Sequence, residues 1–172
     1  MRVFDTSGAP APPSVHGAAS APARRSAGRD TWRLASLSLR VAGALSLLAV
    51  GAVHLQQYFT LYSSIPTIGT LFVLNFVGAT AIGLGLLAPV ERVVGRLGGA
   101  LPALLALGGV GLAATSFVFL FVSERTPLFG FMEPGYDPAA ILASRVAEAV
   151  TVLFLGGFLA LWLTRGRAAG RG

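Results

Sequence analysis

Arg145 and Glu148 lie three residues apart inside the apolar run "AAILASRVAEAVTVLFLGGFLALWL". That spacing puts both on one face of a helix, where they can pair. Exposed to lipid, each would cost a few kcal/mol near mid-bilayer, by insertion scales. One reading is mutual neutralisation inside a helical bundle, with Asn75 as a hydrogen-bond partner. The other is a ligand, ion or proton site in which Glu148 carries the charge and Arg145 tunes it. A third ionisable group stands at the end of another apolar run. "GAVHLQQYF" carries His54, and Tyr58 follows one turn later. With Phe59 and Tyr62 it fits an aromatic belt at a membrane surface, Tyr58 and Tyr62 acting as interfacial anchors. A sharper reading makes His54 a proton-exchanging or ligand-binding lid above Glu148. A depth gap of about 8 Å then calls for Arg145, a water or helix tilt between them.

Other chemistry has little to stand on. The chain has no cysteine, which excludes disulfides, thiol redox catalysis and thiolate metal sites. Of the two histidines, His16 lies in a Pro/Ala-rich tail, so bis-histidine haem cannot form within one bundle. Glu124, Glu133 and Asp137 form an acidic stretch that could attract a hard cation. "EPGYDP" lacks metal-loop spacing, however, and reads as a solvated loop. The neighbouring "PLFGFM" is apolar enough to cover the mouth of a bundle. There is no phosphate-binding glycine loop, no Ser–His–Asp arrangement and no His-x-x-x-His. No catalytic residue, metal or cofactor is implied.

The elements that must position these residues follow from composition. Of 172 residues, 54% are hydrophobic and only 12% charged, and the mean hydropathy is +0.73. Soluble domains have about a quarter of their residues charged. Four apolar runs, at about 34–55, 67–88, 98–122 and 139–163, each approach or exceed the roughly 20 residues that span about 30 Å of hydrocarbon. The spacing predicts an all-α integral membrane four-helix bundle over 31–164, with short loops. Asp30 or Thr31 would cap the first helix, and Thr67 after Pro66 would start the second. Residues 1–30 read as a disordered tail, too poor in apolar periodicity to offset ordering entropy. Residues 165–172 form a basic tail. Gly43 and Gly51, Gly108, Gly109 and Gly111, and Ala143, Ala147 and Thr151 give the helices small faces for close packing in lipid. Such faces also suit a homo-oligomer or a membrane protein partner.

All 13 basic residues are arginine and the net charge is +6. The arginines flank the apolar runs, which indicates orientation in a bilayer and not nucleic-acid binding. Arg2, Arg24, Arg25, Arg29 and Arg33, then Arg92 and Arg96, then Arg165, Arg167 and Arg171 fall on one side of a four-span chain. The other side has Arg125 among acids. The positive-inside rule puts both termini in the cytoplasm of a multi-pass plasma-membrane protein. Counting helical rise, His54 lies within roughly 5 Å of the outer boundary, Thr115 and Ser116 about 10 Å deep, and Asn75 about 12 Å deep. Arg145 and Glu148 lie about 9 and 13 Å deep. His54, Asn75, Thr115, Ser116, Arg145 and Glu148 thus predict one outward-facing polar cluster.

"IPTIGTLFVLNFVGATAIGLGLL" and "LFGFMEPGYDPAAILASRVAEAVTVLFL" resemble a group of small four-span membrane proteins common in actinobacteria. The matching positions are His54, Ile65, Pro66, Ile68, Gly69, Leu71, Phe72, Leu74, Asn75, Leu128 to Phe131, Glu133 and Glu148. The resemblance covers about residues 34–163 and implies the same architecture without a reaction. From residues alone, the expected function is that of a structural or accessory membrane component. The alternatives are a small binding or transport module on Glu148 and Arg145, and a membrane redox subunit.

Overall fold

The computed structural model describes residues 21–89 and 100–169, and side chains from residue 30 to residue 167 outside the 90–99 gap. The expected tail over 1–20, Arg92, Arg96 and Arg171 lie outside the described residues. The chain divides into two compact units, Met1–Leu34 and Ala35–Gly172. The described part of the first is the opening of helix α1. The second holds the site.

Among the described residues the structure is all-helical: α1 (Ala21–Gln57), a π-helical turn (Tyr58–Tyr62), α2 (Pro66–Leu87), α3 (Leu101–Ser123) and α4 (Pro138–Ala169). All four α-helices are long and apolar enough to cross a membrane. Among the described residues the only strand-like pairing is the isolated Leu128–Phe131 bridge. α1 starts about ten residues earlier than the Asp30 or Thr31 cap expected from sequence, so 21–30 is helical. Alanine and arginine are strong helix formers, and extending a nucleated helix needs no further buried face.

Local sequence explains the other starts. Ile65 is extended (φ −104°, ψ 101°) because a residue before proline avoids the helical region, and Pro66 opens α2. Pro102 sits in the first turn of α3, where a missing N–H costs nothing. Asp137 caps α4 ahead of Pro138, its Oδ1 accepting the Ala140 N–H at 3.0 Å.

The end of the second unit remote from the 58–65 and 124–137 loops is packed shut. Ala44, Leu47, Ala79, Leu86, Ala106, Leu155 and Phe158 form its buried core. Small residues allow this approach. A Cβ on Gly109 of α3 would meet Leu155 at 2.7 Å and Leu47 at 3.1 Å. Gly51 of α1 lies so close to α2 that its Cβ would stand 3.1 Å from Ala79. Gly111, expected in the same packing role, has open space beside it, as does Gly156 of α4.

Candidate functional site

At the other end, four helices deliver polar side chains to one place. α1 contributes His54, whose Nδ1–H donates to the Val50 carbonyl at 2.9 Å. That bond puts a proton on Nδ1, so that in the neutral ring Nε2 is an acceptor. Nε2 lies 3.0 Å from Ser116 Oγ on α3. Ser116 Oγ in turn accepts from Asn75 Nδ2 on α2 at 3.0 Å. α4 contributes Glu148, which has no solvent exposure. Its Oε1 accepts from Ser144 Oγ at 3.0 Å and stands 4.0 Å from His54 Nε2. Of the residues singled out from sequence, the structure brings His54, Asn75, Ser116 and Glu148 together. Thr115 only lines the adjoining cavity, from an exposed position.

The expected Arg145–Glu148 pair does not form. Arg145 turns toward the loop and its Nη2 donates to both carboxylate oxygens of Glu124, at 2.6 Å to Oε1. The two residues are adjacent in helical spacing, but the long guanidinium stem reaches a partly exposed acid near the helix end and keeps its charge out of the interior. Glu148 instead faces His54, its Oε1 4.0 Å from Nε2 and so beyond hydrogen-bond distance, while Ser116 Oγ lies 3.0 Å from the same Nε2.

One turn deeper the polar layer ends. Thr151 donates to Ser46 Oγ at 3.0 Å, and Ser46 donates back to the Gly43 carbonyl at 3.0 Å. The fully buried Leu47 and Leu155 follow. The site is therefore open at one end and stopped by hydrocarbon at the other.

Above His54 and Ser116 lies a cavity of about 230 Å³. Its walls are mostly apolar, with Phe72, Phe119, Leu71 and Ile68 among them, and the 124–137 loop roofs it with Leu128, Phe131 and Glu133. Of the apolar "PLFGFM" stretch, Leu128 and Phe131 cover the mouth, while Phe129 and Met132 are exposed. Leu128 and Phe131 exchange backbone bonds of 2.7 and 3.0 Å across Phe129 (φ 53°) and Gly130 (φ 81°). Two positive φ values in succession are those of a type I′ turn, and a non-glycine there is strained.

Comparison with known proteins finds no matching family model, curated protein or solved structure. The site is read from its geometry.

Two expectations about the mouth need correction. Glu133 is no solvated loop acid: it is 6% exposed. Its Oε2 accepts from the Tyr62 hydroxyl, and its Oε1 from the N–H groups of Gly135 (2.9 Å) and Tyr136 (3.3 Å). Tyr62 is likewise no surface anchor, being 5% exposed and stacked on Phe72 at 4.6 Å between ring centres. The π turn is the cause. Its i+5 bond, Ser63 N–H to the Tyr58 carbonyl at 2.9 Å, adds a residue to the turn and swings Tyr62 inward, while Phe59 is left 73% exposed. Tyr58 stays half-buried, edge-on to Phe59 at 5.2 Å. Gln57 completes the roof by donating to Asp137 Oδ2 at 2.9 Å.

Sequence reasoning missed Gln57 and Ser144 and misread Tyr62 and Glu133. Ser144 had a signal, since it sits four residues before Glu148 on the same face. The "EPG" turn was another: a glycine after proline can aim successive N–H groups back at a carboxylate.

Proposed function

We propose that this chain is an integral membrane protein of the plasma membrane, with both termini in the cytoplasm, and that it binds a small molecule in a cavity facing outward. The observation that carries the reading is the half-closed cavity: apolar walls, a polar floor of His54, Ser116 and Asn75, and a buried carboxylate behind them. Binding sites combine apolar walls with a few converging polar groups in this way. A purely structural pair would explain Arg145 and Glu124, which hold α3 to α4, but it gives no reason for unfilled volume beside His54, Asn75, Ser116 and Ser144. The hydrocarbon stop beneath Thr151 favours binding over through-passage. Arginine asymmetry supports the orientation.

The binding reading is tested by native mass spectrometry of the full chain in nanodiscs. A co-purifying small molecule is expected on the wild type and absent from Val53→Phe, which fills the cavity wall. Equal occupancy of both proteins counts against it. Orientation is tested by alkaline phosphatase fusions, active after Thr126 and inactive after Arg167.

A further inference from the structure

The hydrogen-bond accounting around the cavity is lopsided. Two buried polar atoms at this end have no partner, Asn75 Oδ1 and Glu148 Oε2; the first is an acceptor, and so is the second when Glu148 carries its charge. Apart from the second N–H of Asn75 Nδ2, the donors on the buried side chains are already committed. Asn75 Nδ2 goes to Ser116 and Ser144 to Glu148. The roof residues are committed as well, Tyr62 to Glu133, Gln57 to Asp137 and Ser123 to the Leu120 carbonyl at 2.9 Å. Ser116 Oγ–H is the donor that the neutral His54 Nε2 calls for. Arg145, the cation nearest in sequence, is taken by Glu124. A buried acceptor left unmet costs about 1–3 kcal/mol, more when charged. The complement of such a site is a molecule that brings donors and positive charge.

We propose that the cavity takes a small organic ammonium ion, its N–H group on Asn75 Oδ1, Glu148 supplying the counter-charge from behind Ser116 and Ser144, and its apolar body among the aromatic walls. The proposal rests on the reading of the cavity as a ligand site. Phe72, Phe119 and Phe131 line the cavity and offer ring faces that attract cations, most strongly where water is excluded. A bare metal ion fits poorly. It wants six or more oxygens, and among the described residues no group of three His, Asp or Glu side chains converges. A carboxylate or carbonyl ligand fits worse, since it brings acceptors to acceptors. The volume of about 230 Å³ lies below the roughly 300–1,000 Å³ of drug-sized pockets, so the body is small.

The test titrates three probes of similar size into the full chain in zwitterionic nanodiscs, with empty nanodiscs as blank. They are 2-phenylethylamine, 2-phenylethanol and 3-phenylpropionate, followed by calorimetry. The ammonium is expected to bind at least about tenfold tighter than the carboxylate, with the alcohol between. Glu148→Gln should bring the ammonium down to within about twofold of the alcohol, as the charge-assisted part is lost. A carboxylate binding as tightly as the ammonium, and blocked by Val53→Phe, overturns the ammonium assignment while keeping the ligand site. Silence from all three probes overturns the ligand site itself, and the proposal with it. The wild-type ranking decides between these outcomes even where Glu148→Gln does not fold.

Discussion

The two ends of this bundle are built from the same four helices and reach opposite solutions. At the closed end, glycines face leucines, and Leu47, Leu86 and Leu155 are fully buried. At the loop end, aromatic rings, hydroxyls and carboxyls leave about 230 Å³ unfilled. Interiors normally close such space, because unpartnered lining atoms forfeit dispersion contacts. The contrast teaches where each end gets its stability. The closed end relies on contact density along helix faces. The loop end relies on a few directed bonds to acids outside the α-helices: Tyr62 to Glu133, Gln57 to Asp137 and Arg145 to Glu124. Substitutions should therefore damage global stability at one end and cavity closure at the other.

The largest effect is expected at the closed end. Leu155→Ala removes a fully buried side chain and should destabilise the folded state by about 2–5 kcal/mol in denaturant unfolding from mixed micelles. Ligand affinity measured below the transition should barely move. Next comes Gly69→Ala, whose new Cβ would stand 2.7 Å from the Tyr62 carbonyl oxygen. That neighbour is backbone, so no side-chain rotation relieves it. The π turn has to shift, at about 1–3 kcal/mol, the range of overpacked sites. Faster amide exchange over 58–65 is the readout. An unchanged exchange rate would mean the turn is not pinned by α2. Tyr62→Phe comes third. It leaves the buried Glu133 Oε2 without its donor and should cost about 1–2 kcal/mol. Its mark should be faster release of a bound ligand with little change in helix content, since Tyr62 closes the roof and does not build the core.

The same contrast explains what was legible in sequence. Helix positions came from run length, because crossing hydrocarbon demands about 20 apolar residues whatever the packing. Pro66 marked the start of α2 by local backbone chemistry alone. Within the polar cluster, depth along the helices sufficed for His54, Asn75, Ser116 and Glu148. It failed for Arg145, because depth is counted at the backbone while a guanidinium acts several ångströms away along a flexible stem. Tyr62 and Glu133 were hidden for a different reason. Inserting one residue in a π turn rotates every later side chain, and nothing in "YFTLY" announces an i+5 bond. Glu133 then follows Tyr62, since an acid looks solvated until its donors are known.

The smallest expected effect concerns Asp137 and depends on pH. The Ala140 N–H and, after it, the Gln57 side chain hold its carboxyl below the ordinary value of 3.8. Hydrogen bonds to the charged form favour that form. A carboxyl with a depressed folded value stabilises the fold fully above the unfolded value and loses that contribution as pH falls through the folded one. The cap of α4 and its tie to α1 should therefore persist at neutral and mildly acidic pH and loosen below about pH 3.8, the ordinary aspartate value. Protease cleavage within 124–137, followed from pH 6 to pH 2.5 with an acid-active protease, should rise only in the lowest part of that range. The closed end has no buried carboxylate in its apolar core, so cleavage there should not change with it. Asp137→Asn keeps an acceptor for Ala140 but removes the titrating charge, and should flatten the profile. A mutant that retains the wild-type rise would rule out Asp137 as the source of the loosening.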